Sequence, residues 1–142
     1  MKQETQRAQV LSIAQADHAI LASVIDNFRR LFMGVHTADA DKRFAEIRQL
    51  ITEKTFEHFD YEDKQVFPAL LAGNPDKKVE QLVAELSQEH KTLLKETQRV
   101  NALLHQRNLN NCTGEVWSVM MELLTAFEKH AAKEDQLFAL FN

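Results

Sequence analysis

The chain reads as all-α: an up-down-up-down antiparallel four-helix bundle. Three observations carry that expectation. Apolar residues recur in alternating steps of three and four along four long segments, the spacing of one helical face turned to a core. No segment sustains the period of two that a half-buried strand needs. Only three glycines and two prolines punctuate 142 residues, too little turn chemistry for a many-stranded fold.

The first helix is expected over roughly 5–33, where the stripe runs Leu11, Ala14, His18, Leu21, Ile25, Phe28, Phe32. Gly34 to Asp39 separates it from a second helix over 40–72, with the stripe Phe44, Ile47, Ile51, Thr55, His58, Glu62, Val66. Gly73-Asn74-Pro75 then reads as a stop, a cap and a first-turn proline. A third helix over 75–106 turns Val79, Leu82, Leu86, His90, Leu93, Thr97, Val100 and Leu104 inward. Asn108 to Gly114 leads into a fourth over 113–141, with the stripe Val116, Met120, Leu123, Phe127, His130, Glu134, Leu137, Phe141. The connections are short, so consecutive helices should run antiparallel. A chain of this length fits a single domain, residues 1–142, with a real core.

Composition bounds the partners. Hydrophobic residues at 44% and charged residues at 27% are ordinary for a globular protein. A formal charge of −4 and a pI near 5.9 disfavour nucleic acid, whose binders are basic, and do not suggest an anionic membrane surface. The polar start Met-Lys-Gln-Glu-Thr-Gln-Arg lacks the apolar core of a signal peptide, and no apolar run is read as reaching transmembrane length. Cys112 is the one cysteine, which excludes an intrachain disulfide and a thiolate zinc cage. A cytoplasmic protein, monomeric or weakly dimeric, is the expectation.

The inward stripes contain residues that do not belong in an apolar core. His18 and His90, His58 and His130, and Glu62 and Glu134 each lie 72 positions apart, so one pattern occurs twice. His58 and Glu62, like His130 and Glu134, are four apart and share one helical face. Measured from the helix ends, the four histidines fall within roughly 5 Å of one level along the bundle axis, at 1.5 Å per residue. Burying four imidazoles and two carboxylates without partners would cost several kcal/mol each. A metal centre in the bundle core satisfies all six at once; a hydrogen-bonded polar network is the alternative.

Other polar residues fit less well. His36 falls in the first loop and His105 is one position off the third stripe, so neither is taken as a ligand. Tyr61 could assist a redox centre, although packing between helices is its simpler role. Asp63 and Asp135 repeat at the same offset and could orient ligands, or simply be charges at the edge of the seam. Glu57 points sideways. Trp117, Phe127 and Met120 read as core, and Cys112 as an incidental loop thiol.

Six nitrogen and oxygen ligands suit iron, manganese or zinc. They exceed one tetrahedral zinc and fit two ions about 3.5–4 Å apart with each glutamate able to bridge. Two divalent ions against two carboxylates leave positive charge for a hydroxide, an oxide or an anion, and an open position for a small ligand.

The order His, His-x-x-x-Glu, His, His-x-x-x-Glu on four helices resembles the hemerythrin-like, or HHE cation-binding, domain. His58-Phe-Asp-Tyr-Glu62-Asp-Lys-Gln-Val-Phe-Pro68 is particularly similar to its second-helix motif, and the resemblance covers nearly the whole chain. It implies a non-haem centre of two iron ions with oxo or hydroxo and carboxylate bridges. His18, His58, His90 and His130 would be terminal ligands, and Glu62 and Glu134 bridges. The invertebrate oxygen carriers of this family have a further histidine one turn away on the third helix, where this chain has Leu86 and Leu94. They also place an aspartate five positions after the last histidine. Asp135 stands there, but Glu134 is better aligned and matches Glu62. Four histidines disfavour reversible oxygen carriage and favour a more reactive or exchangeable iron site. The same set resembles the metal domain of iron–sulfur cluster repair proteins, linked to nitric-oxide stress, which carry an extra cysteine-containing N-terminal domain that has no counterpart here.

Three readings remain at this point. One is a di-iron protein binding oxygen, nitric oxide or iron for sensing, storage or stress response. Another is an enzyme reducing oxygen, peroxide or nitric oxide, or a repair-type iron donor. The third is a structural zinc or metal-free site.

Overall fold

The computed structural model describes residues 2–33, 38–73, 75–105 and 114–141. Helices α1 (Lys2–Met33), α2 (Ala38–Tyr61), α3 (Phe67–Leu71), α4 (Lys77–Leu104) and α5 (Gly114–Ala139) are joined by one π turn, Glu62–Val66, between α2 and α3. α2, the π turn and α3 form one rod, so the architecture is the expected antiparallel four-helix bundle. α1 packs on α2, α2 on α4, α4 on α5, and α5 closes back on α1.

Several boundaries differ from expectation. α1 already begins at Lys2, and α2 begins at Ala38, inside the segment expected to be loop. α4 begins at Lys77 because Asp76, not Asn74, is its cap: Asp76 has extended backbone, and its carboxylate accepts the Val79 N–H at 3.1 Å. Pro75 therefore precedes the cap instead of sitting in the first turn. Gly73 does act as the stop, with φ 87°, a left-handed conformation that side-chain-bearing residues avoid. Asn74 lies outside the described residues. α4 ends at Leu104, two residues short of expectation, and Gly114 is the first residue of α5 rather than part of the connection.

The π turn is the largest departure. The sequence stripe treats the second helix as continuous, yet at Glu62 the backbone widens, and the Phe67 N–H bonds the Glu62 carbonyl five residues back. Sequence counting explains it. Up to Glu62 the two halves correspond at an offset of 72; beyond it the buried residues correspond at 71, Val66 with Leu137 and Phe67 with Phe138. Phe138 stacks on His18 at 5.6 Å between ring centroids, and Phe67 stacks on His90 at 5.5 Å. The second rod holds one extra residue between two pinned positions, and a π turn absorbs it without rotating either.

The polar level divides the core. One apolar cluster, built on Phe28, Phe44, Met120 and Leu124, lies to one side, and a second, built on Val66, Phe67, Leu86 and Phe138, lies to the other. Within Glu4–Leu31, α1 holds an 18-residue window of mean hydropathy 1.3, long and apolar enough for a membrane span by length and composition, contrary to the sequence expectation; 28% of that window is buried inside the bundle. Asp17 and His18 sit within that helix and reach α2 and α5.

Candidate metal centre

The six polar residues of the inward stripes meet in one place. His18, on α1, directs Nε2 to within 3.0 Å of Glu134 Oε1 and 3.6 Å of Glu62 Oε2. His58 Nε2 is 3.2 Å from Glu62 Oε1, and His90 Nε2 is 3.1 Å from that same oxygen. His130 Nε2 is 3.3 Å from Glu134 Oε1. The i, i+4 spacing thus does what helical geometry demands, bringing each glutamate beneath the histidine of its own helix. Two tetrads result: His18, His58, Glu62, Glu134 and Glu62, His90, His130, Glu134, each with its ligand-type atoms within 4.8 Å of one another. Both contain both carboxylates.

The donor set fits a cation. Glu62 and Glu134 are 0% and 1% exposed. Both Glu62 oxygens, Glu134 Oε2 and the Nε2 atoms of His58, His90 and His130 are buried and lack hydrogen-bond geometry to any partner. The distances between them are short, within 4.8 Å in each tetrad, yet these atoms do not satisfy one another. Buried polar atoms left this way are costly, and metal ions coordinated through Nε2 and carboxylate oxygen would satisfy them together.

Each imidazole is held from behind by a carboxylate of another helix. Asp17 on α1 lies 3.3 Å from His58 Nδ1, and Asp63 in the π turn lies 3.0 Å from His90 Nδ1. Glu89 on α4 lies 3.0 Å from His130 Nδ1, and Asp135 on α5 lies 3.1 Å from His18 Nδ1. An ionised carboxylate only accepts, so each Nδ1 carries the proton and each Nε2 is turned inward. Asp63 and Asp135 thus make the contact that an orienting residue would make. Asp17 and Glu89 do the same although the stripes do not mark them; they too lie 72 positions apart, each immediately before a histidine. Lys133 binds Glu89 at 2.6 Å and Glu85 at 2.9 Å.

The remaining candidates are peripheral. Glu57 is exposed and pairs with Lys54 at 3.8 Å. His105 is exposed beyond the end of α4. Tyr61 packs at the edge of the second core cluster, where burial and then the charge of Asp17 raise its pKa and keep it a phenol. Met120 and Phe127 are core, with Trp117 packed against them. His36 and Cys112 lie outside the described residues.

Charge at the centre is self-consistent in the metal-free protein. Burial alone would lower the pKa of His18 and of His90, but the close approach of the Glu134 and Glu62 carboxylates outweighs it and raises both to about 10. His58 is raised on the same balance, burial being opposed by the nearby Glu62 carboxylate. Burial would raise Glu134, yet its hydrogen bonds within the cluster hold it well below the usual carboxylate range. Glu89 is held low despite partial burial, by Lys133 and His130.

A cavity of about 70 Å³ opens beside the centre, between α1 and α5, bordered by His18, His58, His130 and Glu134 and by the small side chains Ala22 and Ala131. Its lining is not symmetric about the repeat. At the offset of 72, Ala22 corresponds to Leu94 and Ala131 to Phe59. Phe59 covers His90, its ring stacked at 4.1 Å between centroids, where the smaller Ala131 leaves His18 uncovered, and Phe59 also borders the cavity. At the cavity edge, Glu128 pairs with Arg29 across the α1–α5 seam.

Compared with known proteins, residues 5–141 match the family model described as the Hemerythrin HHE cation binding domain. No curated protein and no solved structure matches the chain.

Proposed function

The chain belongs to the hemerythrin HHE cation-binding domain family, and from that membership we propose that it is a non-haem di-iron protein that binds a small neutral ligand, oxygen or nitric oxide, at the metal. The observation that carries this reading is the pair of tetrads that share Glu62 and Glu134. One tetrahedral ion would leave two of the six groups idle; two ions use all of them, with the glutamates common to both. His18 and His58 would hold one ion, His90 and His130 the other. Nitrogen and oxygen donors without sulfur suit iron, and two imidazoles per ion leave room for further ligands. Bound iron would supply a redox-active acceptor for a small ligand.

The protein's own residues decide what reaches it. The cavity admits a ligand of a few atoms on the side of His18, and its largely apolar lining favours a neutral ligand over an anion. Phe59, which also borders the cavity, and Phe67 sandwich His90 and cover it, whereas His18 and His58 both face the cavity, so ligand entry is assigned to the ion of His18 and His58. Besides the ligating groups, Thr55 and Glu128 are the lining groups able to pass a proton. Arg29 holds Glu128 in an ion pair, which leaves Thr55 for proton delivery and favours binding over proton-coupled reduction of oxygen, peroxide or nitric oxide. An iron-donor role is the second reading, supported by the 10% exposure of the His18 side chain, the largest among the six residues. The single cysteine and the charge of −4 support a cytoplasmic setting and a monomer or weak dimer.

Nitric oxide added anaerobically to the ferrous protein tests the reading. A visible and paramagnetic adduct is expected in the wild type. Ala131→Phe, which copies the opposite side, should keep its iron and slow or abolish the adduct. An adduct formed equally well by that variant would refute the assigned entry side.

A further inference from the structure

We propose that Asp17, Asp63, Glu89 and Asp135 form a closed ring of positioning residues that sets the affinity of each metal subsite. This rests on the di-iron reading above. The links run in one rotational sense: α1 to α2 through Asp17 and His58, then to α4 through Asp63 and His90. They continue to α5 through Glu89 and His130, and back to α1 through Asp135 and His18. No helix orients its own histidine. Each imidazole is fixed by a neighbour, so the bundle's four interfaces and the aim of its four Nε2 atoms are one structure.

The ring follows the same internal repeat as the ligands. Asp17 and Glu89 are one pair at offset 72, Asp63 and Asp135 the other. A solvated surface charge has no reason to keep that register, whereas a residue whose carboxylate must reach a histidine one helix away does. The four are partly exposed, 37% for Asp17 and Glu89, 42% for Asp63 and 63% for Asp135. Their value as ordinary surface ion pairs would accordingly be small. Their leverage lies in holding the proton on Nδ1, which leaves the Nε2 lone pair free for a metal and strengthens it as a donor. Ser87 Oγ donates to Asp63 at 3.3 Å and Lys133 clamps Glu89, so two links are themselves braced.

The ring divides by subsite. Asp17 and Asp135 serve His58 and His18, in the first tetrad; Asp63 and Glu89 serve His90 and His130, in the second. Removing one carboxylate should weaken one ion and spare the other. The test is titration of the full-length metal-free protein with ferrous iron under anaerobic conditions, for wild type, Asp17→Ala, Asp17→Asn and Glu89→Ala. Melting temperatures of the metal-free forms are recorded alongside. Wild type should take up two ions. Asp17→Ala and Glu89→Ala should each weaken one of them by roughly 10–100-fold, with metal-free melting temperatures close to wild type. Asp17→Asn keeps an acceptor for Nδ1–H and should recover part of the loss. Two ions bound with unchanged affinity in both alanine variants would overturn the ring while leaving the di-iron reading intact. So would equal weakening of both ions in step with a lowered melting temperature. A wild type that takes up no metal would sink the di-iron reading, and the ring with it.

Discussion

The two glutamates and the four histidines are not equivalent residues. Glu62 and Glu134 belong to both tetrads, whereas each histidine belongs to one. Glu134→Ala should therefore cost the protein both ions, and His18→Ala one, as read by metal content after reconstitution. Equal losses from the two substitutions would argue against a shared bridge. The metal-free protein also has a defined pH response. His18 and His90 are raised, so the stability they contribute is fully present below the ordinary 6.5 and is lost as pH climbs through about 10. Glu134 is depressed, so its contribution is present above the ordinary carboxylate range and disappears as pH falls through its lowered value. Thermal melts of the metal-free protein should thus fall between pH 6.5 and about 10, and the metal-loaded protein should resist that fall, because ions replace the protons on Nε2. All six central residues were legible in the sequence, because polar groups placed on apolar stripes and repeated at one offset make sense only if they meet. Asp17 and Glu89 were not, although they carry the same offset. They lie at the margin of the stripe, where a carboxylate looks like solvent-facing charge until a partner helix is in place.

At the scale of the element, the second rod is the informative one. Periodicity located its ends to within two residues and its buried face correctly, yet missed the π turn, because an extra residue leaves the apolar pattern on either side intact. The shift from 72 to 71 between the halves is its one trace in the sequence. Deleting the exposed Gln65 should convert the turn to α-helix, bringing Phe67 to the four-residue step that Phe138 keeps from Glu134. Such a variant is expected to retain far-UV helicity and both ions. Loss of metal with the fold intact would show instead that the wide turn is needed to aim Glu62. The start of α4 offers a simpler check. Asp76→Ala removes the side-chain acceptor for the Val79 N–H and should cost about 0.5–2 kcal/mol in denaturant unfolding. The sequence pointed to Asn74 because it follows the glycine directly; the chain uses Asp76, the residue whose side chain accepts the Val79 N–H of the first turn.

The whole molecule is two apolar cores joined through a polar layer, and the two sides of that layer differ. An internal repeat builds a nearly two-fold centre, and substitutions away from the repeat open one side of it. Truncating Phe59 to alanine should destabilise the protein by about 3–5 kcal/mol, as for other buried aromatics, and should widen the cavity it borders toward His90, so that ligand reaches the second ion as well. The sequence could reveal the repeat but not this cavity, since Ala22 and Ala131 read as ordinary helix formers until their neighbours are known. The most direct test of the central claim is the metal content of the freshly isolated protein, measured by elemental mass spectrometry. Close to two iron ions per chain is the predicted result. One zinc, or no metal after growth in iron-replete medium, would contradict the dinuclear iron centre and leave the buried histidines and glutamates as a polar network held together by protons.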